Sequence, residues 1–115
     1  MRSSISKPTV RLFIFGKAPL FGQVKTRLAT HTGKASALAI HRQLFLHCLQ
    51  QTHGFPHGPT ELWCTPNTRH AFFRECQRRY NLSLRQQQGE QLGERMFNAF
   101  SRGLRTAKSV ILIGT

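Results

Sequence analysis

The sequence predicts an α/β fold: three layers, α/β/α, with a mainly parallel sheet in the middle. Three observations carry that expectation. Leu12–Phe15 and Val110–Ile113 are short apolar runs cut off abruptly by glycine, the pattern of buried strands rather than helices. The segments between them repeat apolar residues every three or four positions, as amphipathic helices do. Strand-like and helix-like segments alternate along the chain, and such alternation implies parallel strands with helices on both faces.

Residues 1–9 are polar with one proline and read as a loose leader; residues 10–115 read as one domain portion without an internal boundary. The first strand is expected at Val10–Phe15. A loop follows with Gly16, Pro19 and Gly22 at its bends, and Thr32-Gly33-Lys34 then precedes a long helix to about Gln51. Its apolar stripe is expected at Ala37, Ile40, Leu44 and Cys48, with Leu38, Phe45 and Leu49 beside it. Gly54-Phe55-Pro56-His57-Gly58-Pro59 is dense with breakers and ends the unit. A second strand follows at Thr60–Thr65, then a helix over about Thr68–Arg79 with Phe72, Cys76 and Tyr80 on one face. A short alternating strand is expected near Leu82–Arg85. Leu92, Met96, Ala99 and Gly103 mark a helix within Gln91–Arg105. Ser109–Ile113 has the composition of a central parallel strand.

Chemistry concentrates in the first loop, which carries Lys17, Lys25 and Arg27 among its glycines. A buried strand, a glycine-punctuated basic loop and a helix together form an arrangement that holds phosphate, because backbone N–H groups and long cations face the anion. The loop is not a Walker loop, since G-x-x-x-x-G-K-[ST] is absent. Read alone, the same segment also fits an ordinary strand-turn with solvated basic residues.

Composition narrows the function classes. The chain has 115 residues, 39% apolar and 10% aromatic, with nine phenylalanines, which argues for a folded core. Lys plus Arg number 17 against 4 acids, giving a formal charge of +13, and every acid is a glutamate. Such a charge favours polyanions, yet the basic residues are scattered and no aromatic-basic RNA-binding signature is present. Cys48, Cys64 and Cys76 are odd in number and widely spaced, so they suggest neither a disulfide framework nor a metal knuckle. They read as small apolar residues of a cytoplasmic protein in a reducing compartment. No segment approaches the ~20 apolar residues of a membrane helix. His53 and His57 stand four apart, but in a proline-glycine loop, so the spacing does not align their rings. Without aspartate, neither a Ser-His-Asp arrangement nor a paired-carboxylate site can be assembled.

Phe15-Gly16-Lys17-Ala18-Pro19 with Gly22-Gln23-Val24-Lys25-Thr26-Arg27-Leu28 resembles the opening signature of a bacterial family of glycosyltransferase-A-like proteins, long catalogued as a domain of unknown function. Some members are labelled arsenosugar-biosynthesis glycosyltransferases, and the family belongs with the nucleotide-diphospho-sugar transferases. Glu61-Leu62-Trp63-Cys64, Leu92-Gly93-Glu94-Arg95-Met96 and Val110-Ile111-Leu112-Ile113-Gly114-Thr115 agree in order and spacing. The resemblance spans about Leu12 to Thr115, the N-terminal portion of the family domain, and implies a truncated chain.

The resemblance implies that the first loop cradles the diphosphate of a nucleotide or nucleotide-sugar. Gly16, Lys17, Gly22, Lys25, Thr26 and Arg27 supply that cradle, while Gln88, Gly89, Gly93, Glu94 and Arg95 form a second nucleotide-binding edge at a strand-to-helix transition. Glu94 as a helix cap and Arg95 as a surface residue fit the second edge equally well. Gly16 stands where the family commonly has alanine, Phe21 where it has proline, and Gln91 where it has an acid. Complete relatives are expected to use Mg²⁺ or Mn²⁺, held by an aspartate just after the terminal strand. Nothing in this sequence corresponds to that residue, so no metal ligand or catalytic residue is assigned. The expected activity is glycosyl or nucleotidyl transfer in complete relatives and none from this chain alone. The alternatives are a basic nucleic-acid-binding module, a nucleotidyltransferase-like protein and a silent relative of the fold.

Overall fold

The computed structural model describes residues 9–115; the expected leader, apart from Thr9, lies outside the described residues. Eight elements follow in order: β1 (Val10–Lys17), α1 (Thr26–Thr32), α2 (Lys34–Thr52), β2 (Thr60–Thr65), α3 (Ala71–Tyr80), β3 (Ser83–Gln86), α4 (Leu92–Gly103) and β4 (Ser109–Gly114). The strands form one sheet in the order β3-β2-β1-β4, and every neighbouring pair is parallel. The expected three-layer α/β fold is therefore observed.

Side-chain alternation along β1 builds two cores. Leu12 and Ile14 face one side, where they pack with Leu62 and Cys64 of β2, Phe45 and Leu49 of α2, and Phe72, Phe73 and Cys76 of α3. Phe13 and Phe15 face the other side with Trp63 and with Ala99 of α4. A strand buried on both faces reads as a continuous apolar run, which is why its sequence is so legible. Gly103 belongs to this second core: a Cβ there would stand 2.7 Å from Phe13 Cζ and Val110 Cγ2, so α4 lies unusually close to the sheet.

One carboxylate, in two ion pairs, ties three strands together. Glu61 of β2 is buried, receives a 2.7 Å bond from Arg11 Nη1 of β1, and lies 3.5 Å from Arg85 Nε of β3. Cys64 and Cys76 are buried free thiols and Cys48 is half-buried. Burial above all pushes Cys64 up to about 12 and Cys76 up to about 11, with Cys76 adding to the first shift and Glu75 to the second against the opposing charges of Arg79 and Arg42, so neither is a nucleophile near neutral pH.

Three expectations need correction. The buried stripe of α2 runs Ala37, His41, Phe45 and Leu49, whereas Ile40 and Cys48 are half-buried and Leu44 is exposed. The helix is rotated by about one residue from the most apolar choice, because Phe45 inserts between β1 and α3 and brings His41 inward with it. Leu92 is exposed rather than part of the core stripe of α4. Among the described residues β4 pairs only with β1, so it is an edge strand rather than a central one; Ile111 accordingly is 46% exposed.

Candidate functional site

Parallel strands end together, and the loops leaving their carboxyl ends form a crevice. Here β1, β2 and β4 end around a cavity of about 340 Å³. Lys17 closes β1 and is exposed at its rim. The next residue, Ala18, donates its N–H to Thr65 O at 2.9 Å, which holds the first loop against the end of β2. The loop then turns through Gly22, buries Val24, and reaches Lys25 in the left-handed region, with φ 50° and ψ 47°. That conformation costs a residue with a Cβ about 1–2 kcal/mol. It also opens α1 at Thr26, so Thr26 and Arg27 belong to the first turn of a helix rather than to the loop.

Lys17, Lys25, Thr26 and Gly16 of the first block all line the cavity, as does Arg95 of the second. Lys25 Nζ donates to Thr115 O at 3.4 Å, and Thr115 is held in turn by bonds from its N–H and hydroxyl to Phe15 O. Arg95 donates Nε to Gly89 O at 2.9 Å and Nη2 to Glu90 O at 3.2 Å. It braces the loop before α4 while keeping further N–H donors. The other expected residues do not line the cavity. Arg27 is exposed on α1, and Gly22 packs near the Lys34 side chain. Glu94 Oε1 accepts the Glu90 N–H at 2.7 Å, a bond like that of a capping box but one residue before the N-cap Gln91, which ties the loop to the first turn of α4. Gly89 adopts φ 130°, and a Cβ there would meet Glu94 Cγ at 2.9 Å, so its role is to let this bond close. Gly93 is exposed on the first turn of α4. Gln88 lines a different cavity.

Sequence reading missed His41, Thr65, Gln87 and Leu92. His41 is buried and its Nε2 lies 2.8 Å from Lys17 O, a contact that makes Nε2 the protonated nitrogen. Burial holds this imidazole below its ordinary value; the carbonyl bond opposes that shift, and the charges of Lys25 and Lys17 add to it. Its signal was present as a polar residue in a strict four-residue stripe, Ala37-His41-Phe45-Leu49. Gln87 is fixed by its N–H on Cys64 O and its Nε2 on Trp63 O, both at 2.9 Å. Nothing local distinguishes it from Gln86 or Gln88.

The lining bears two lysines, an arginine and a neutral histidine, and no acidic side chain. It suits an oxyanion. It does not fit Mg²⁺ or Mn²⁺, which take oxygen ligands rich in carboxylate; the one imidazole is already committed to Lys17 O. Among the described residues no group of three His, Cys, Asp or Glu side chains is placed to hold a metal ion.

Residues 48–115 match the model of a family described as an uncharacterized protein conserved in bacteria, DUF2064. The fold is similar to the crystal structure of a protein from Desulfovibrio desulfuricans G20 described as a candidate nucleotide-diphospho-sugar transferase. The TM-score is 0.71 with 27% identity over 91% of this chain, which spans 46% of that protein. No curated protein matches the chain. The likeness agrees with the fold class expected from the four sequence blocks. Among the described residues no helix is long and apolar enough to cross a membrane.

Proposed function

The chain belongs to the DUF2064 family of bacterial proteins, and from that premise we propose that its strand-end cavity binds the diphosphate of a nucleotide or nucleotide-sugar. The observation that carries this reading is the convergence of Lys17, Lys25 and Arg95 on one cavity at the ends of parallel strands. Lys25 holds a costly left-handed backbone there, and strain kept at a ligand-facing cation fits a binding role. His41 buttresses Lys17 through its carbonyl and, being neutral, adds no competing charge. The likeness to a protein described as a candidate nucleotide-diphospho-sugar transferase supports the ligand class.

The residues present bind and orient. Two ammonium groups and a guanidinium neutralise diphosphate oxygens, and Thr26 lines the same cavity. Among the described residues no acidic side chain lines that position and no group of three His, Cys, Asp or Glu could hold a metal there, so this chain is expected to hold a donor for glycosyl or nucleotidyl transfer without turning it over. Buried free thiols suit a reducing, cytoplasmic setting.

Titration calorimetry with UDP, GDP and UDP-glucose tests this reading. Replacing Lys17 and Lys25 with alanine should weaken the best ligand about tenfold or more, since each charge-assisted bond contributes about 1.5–3 kcal/mol. Replacing Arg78 and Arg79 should change it little. Equal losses would mean that only net charge matters and would favour the basic nucleic-acid-binding reading, whose hallmark is steep salt dependence on DNA or RNA.

A further inference from the structure

A second cavity, of about 560 Å³, lies between α4 and strands β2 and β3, and it shares no lining residue with the strand-end cavity. Trp63, Arg85, Phe97, Asn98, Arg102 and Arg105 shape it. A smaller recess of about 120 Å³ continues from it, with Trp63, Arg85 and Arg102 common to both and Arg11 at its side.

The polar groups here are unbalanced towards donors. Trp63 is 3% exposed and its Nε1–H has no acceptor; Arg11 is half-buried, but its Nε is shielded from solvent and has none either. Two orphaned N–H groups lining one recess are a rare arrangement, because a buried donor without a partner costs free energy. Glu61, the one carboxylate nearby, already serves Arg11 and Arg85. Among the described residues Arg102 and Arg105 have no acidic partner within salt-bridge distance. Beside these donors Phe97 presents a ring that is 70% exposed, and Asn98 is anchored at the rim by donating Nδ2 to Gln88 O at 2.8 Å.

We propose that this cavity is a second ligand site, which takes a phosphate monoester carrying a planar ring. The phosphate sits among Arg85, Arg102 and Arg105, where guanidinium forks grip oxyanions bidentately, with an oxygen directed towards the unpartnered Trp63 and Arg11 donors. The ring lies on Phe97, whose face offers stacking area. The volume suits a ligand of that size. This inference does not depend on what the strand-end cavity binds.

Trp63 is the one tryptophan of the chain, so its emission reports on this cavity. The probe is phenyl phosphate, with inorganic phosphate and phenol as the separate halves. Phenyl phosphate should change Trp63 emission saturably, with an affinity about tenfold or more above that of inorganic phosphate, and phenol should give no saturable change. Substituting Arg102 and Arg105 together with alanine should weaken phenyl phosphate about tenfold or more, while Phe97→Ala should erase its advantage over inorganic phosphate. All three residues are exposed, so both variants keep the core intact; unchanged far-ultraviolet circular dichroism verifies this. The Lys17→Ala, Lys25→Ala variant should leave the titration unchanged. The proposal is overturned by no saturable response, by equal affinity for the two phosphates, or by loss in the lysine variant with retention in the arginine variant.

Discussion

His41 Nε2 stands 2.8 Å from the carbonyl oxygen of Lys17, joining residues 24 apart in sequence and fixing the last peptide of β1 from the flank of α2. The contact explains how a histidine occupies a core stripe between Ala37 and Phe45. It also aligns the strand end that carries a cavity lysine.

Burial of this imidazole makes stability depend on pH. Burial first, then the Lys25 and Lys17 charges, hold folded His41 below its ordinary 6.5, against the opposing carbonyl bond. Above 6.5 both folded and unfolded forms are neutral and the group contributes no slope. As pH falls through 6.5 the unfolded chain takes up the proton first, so stability declines until the folded imidazole also titrates. His41→Gln can still donate to Lys17 O but does not titrate. Urea midpoints from about pH 7.5 to about pH 5 should fall more steeply for the parent chain; identical slopes would contradict the assignment.

Lys25 should trade stability for binding. Lys25→Gly removes the cost of a Cβ at φ 50° and should stabilise the fold by about 1 kcal/mol. The same change deletes a cavity cation and should weaken nucleoside-diphosphate binding about tenfold. Urea denaturation and calorimetry on one sample of each protein separate the two effects. A loss of stability on substitution would show that the Lys25 side chain contributes more to the fold than its backbone costs.

Gly16 is a packing position. A Cβ there would stand 2.4 Å from Phe45 Cε2 and Cζ, so Gly16→Ala should destabilise by about 1–3 kcal/mol through overpacking. Phe45→Leu shortens the opposing side chain, and the double variant should be more stable than the two single losses summed. Strict additivity in the cycle would contradict the clash. The contact also gives a reason for glycine where the resembling family commonly has alanine.

Glu61 should be structural rather than catalytic. Glu61→Ala leaves Arg11 partly buried beside a vacated carboxylate, and the expected loss is about 3 kcal/mol. Glu61→Gln retains an acceptor and should cost less. Arg85→Ala should cost least, because Arg85 is largely solvated and 3.5 Å away. Urea midpoints give the order directly, and a larger loss for Arg85→Ala than for Glu61→Ala would reverse it.

Donor turnover offers a separate check on the chemistry. With no acidic side chain lining the strand-end cavity, UDP-glucose or GTP turnover by these 115 residues in Mn²⁺ should equal that in excess chelator. Chelator-sensitive turnover would point to metal ligands among Glu90, Glu94 and the histidines.

Except for the short helix α1, which the reading left within the basic loop, the order of elements, their type and the parallel sense of the sheet were legible from sequence alone, because periodicity and glycine breaks are local properties. Strand bounds fell within two residues of those observed, since β1 and β2 are buried on both faces and leave little ambiguity. The basic loop was recognisable as a cluster for the same reason. Only the tertiary structure decided which members of the two motif blocks share a cavity. Lys17, Lys25 and Arg95 meet there, whereas Glu94 ties the preceding loop to α4 and Arg27 turns away on α1. The placement of the first loop depends on a bond between distant residues, Ala18 N–H to Thr65 O. The stripe of α2 shows the same limit: a shift of one residue rotates a helix by about 100°, and the shift was set by Phe45 and by the carbonyl that accepts from His41, neither of which local spacing encodes.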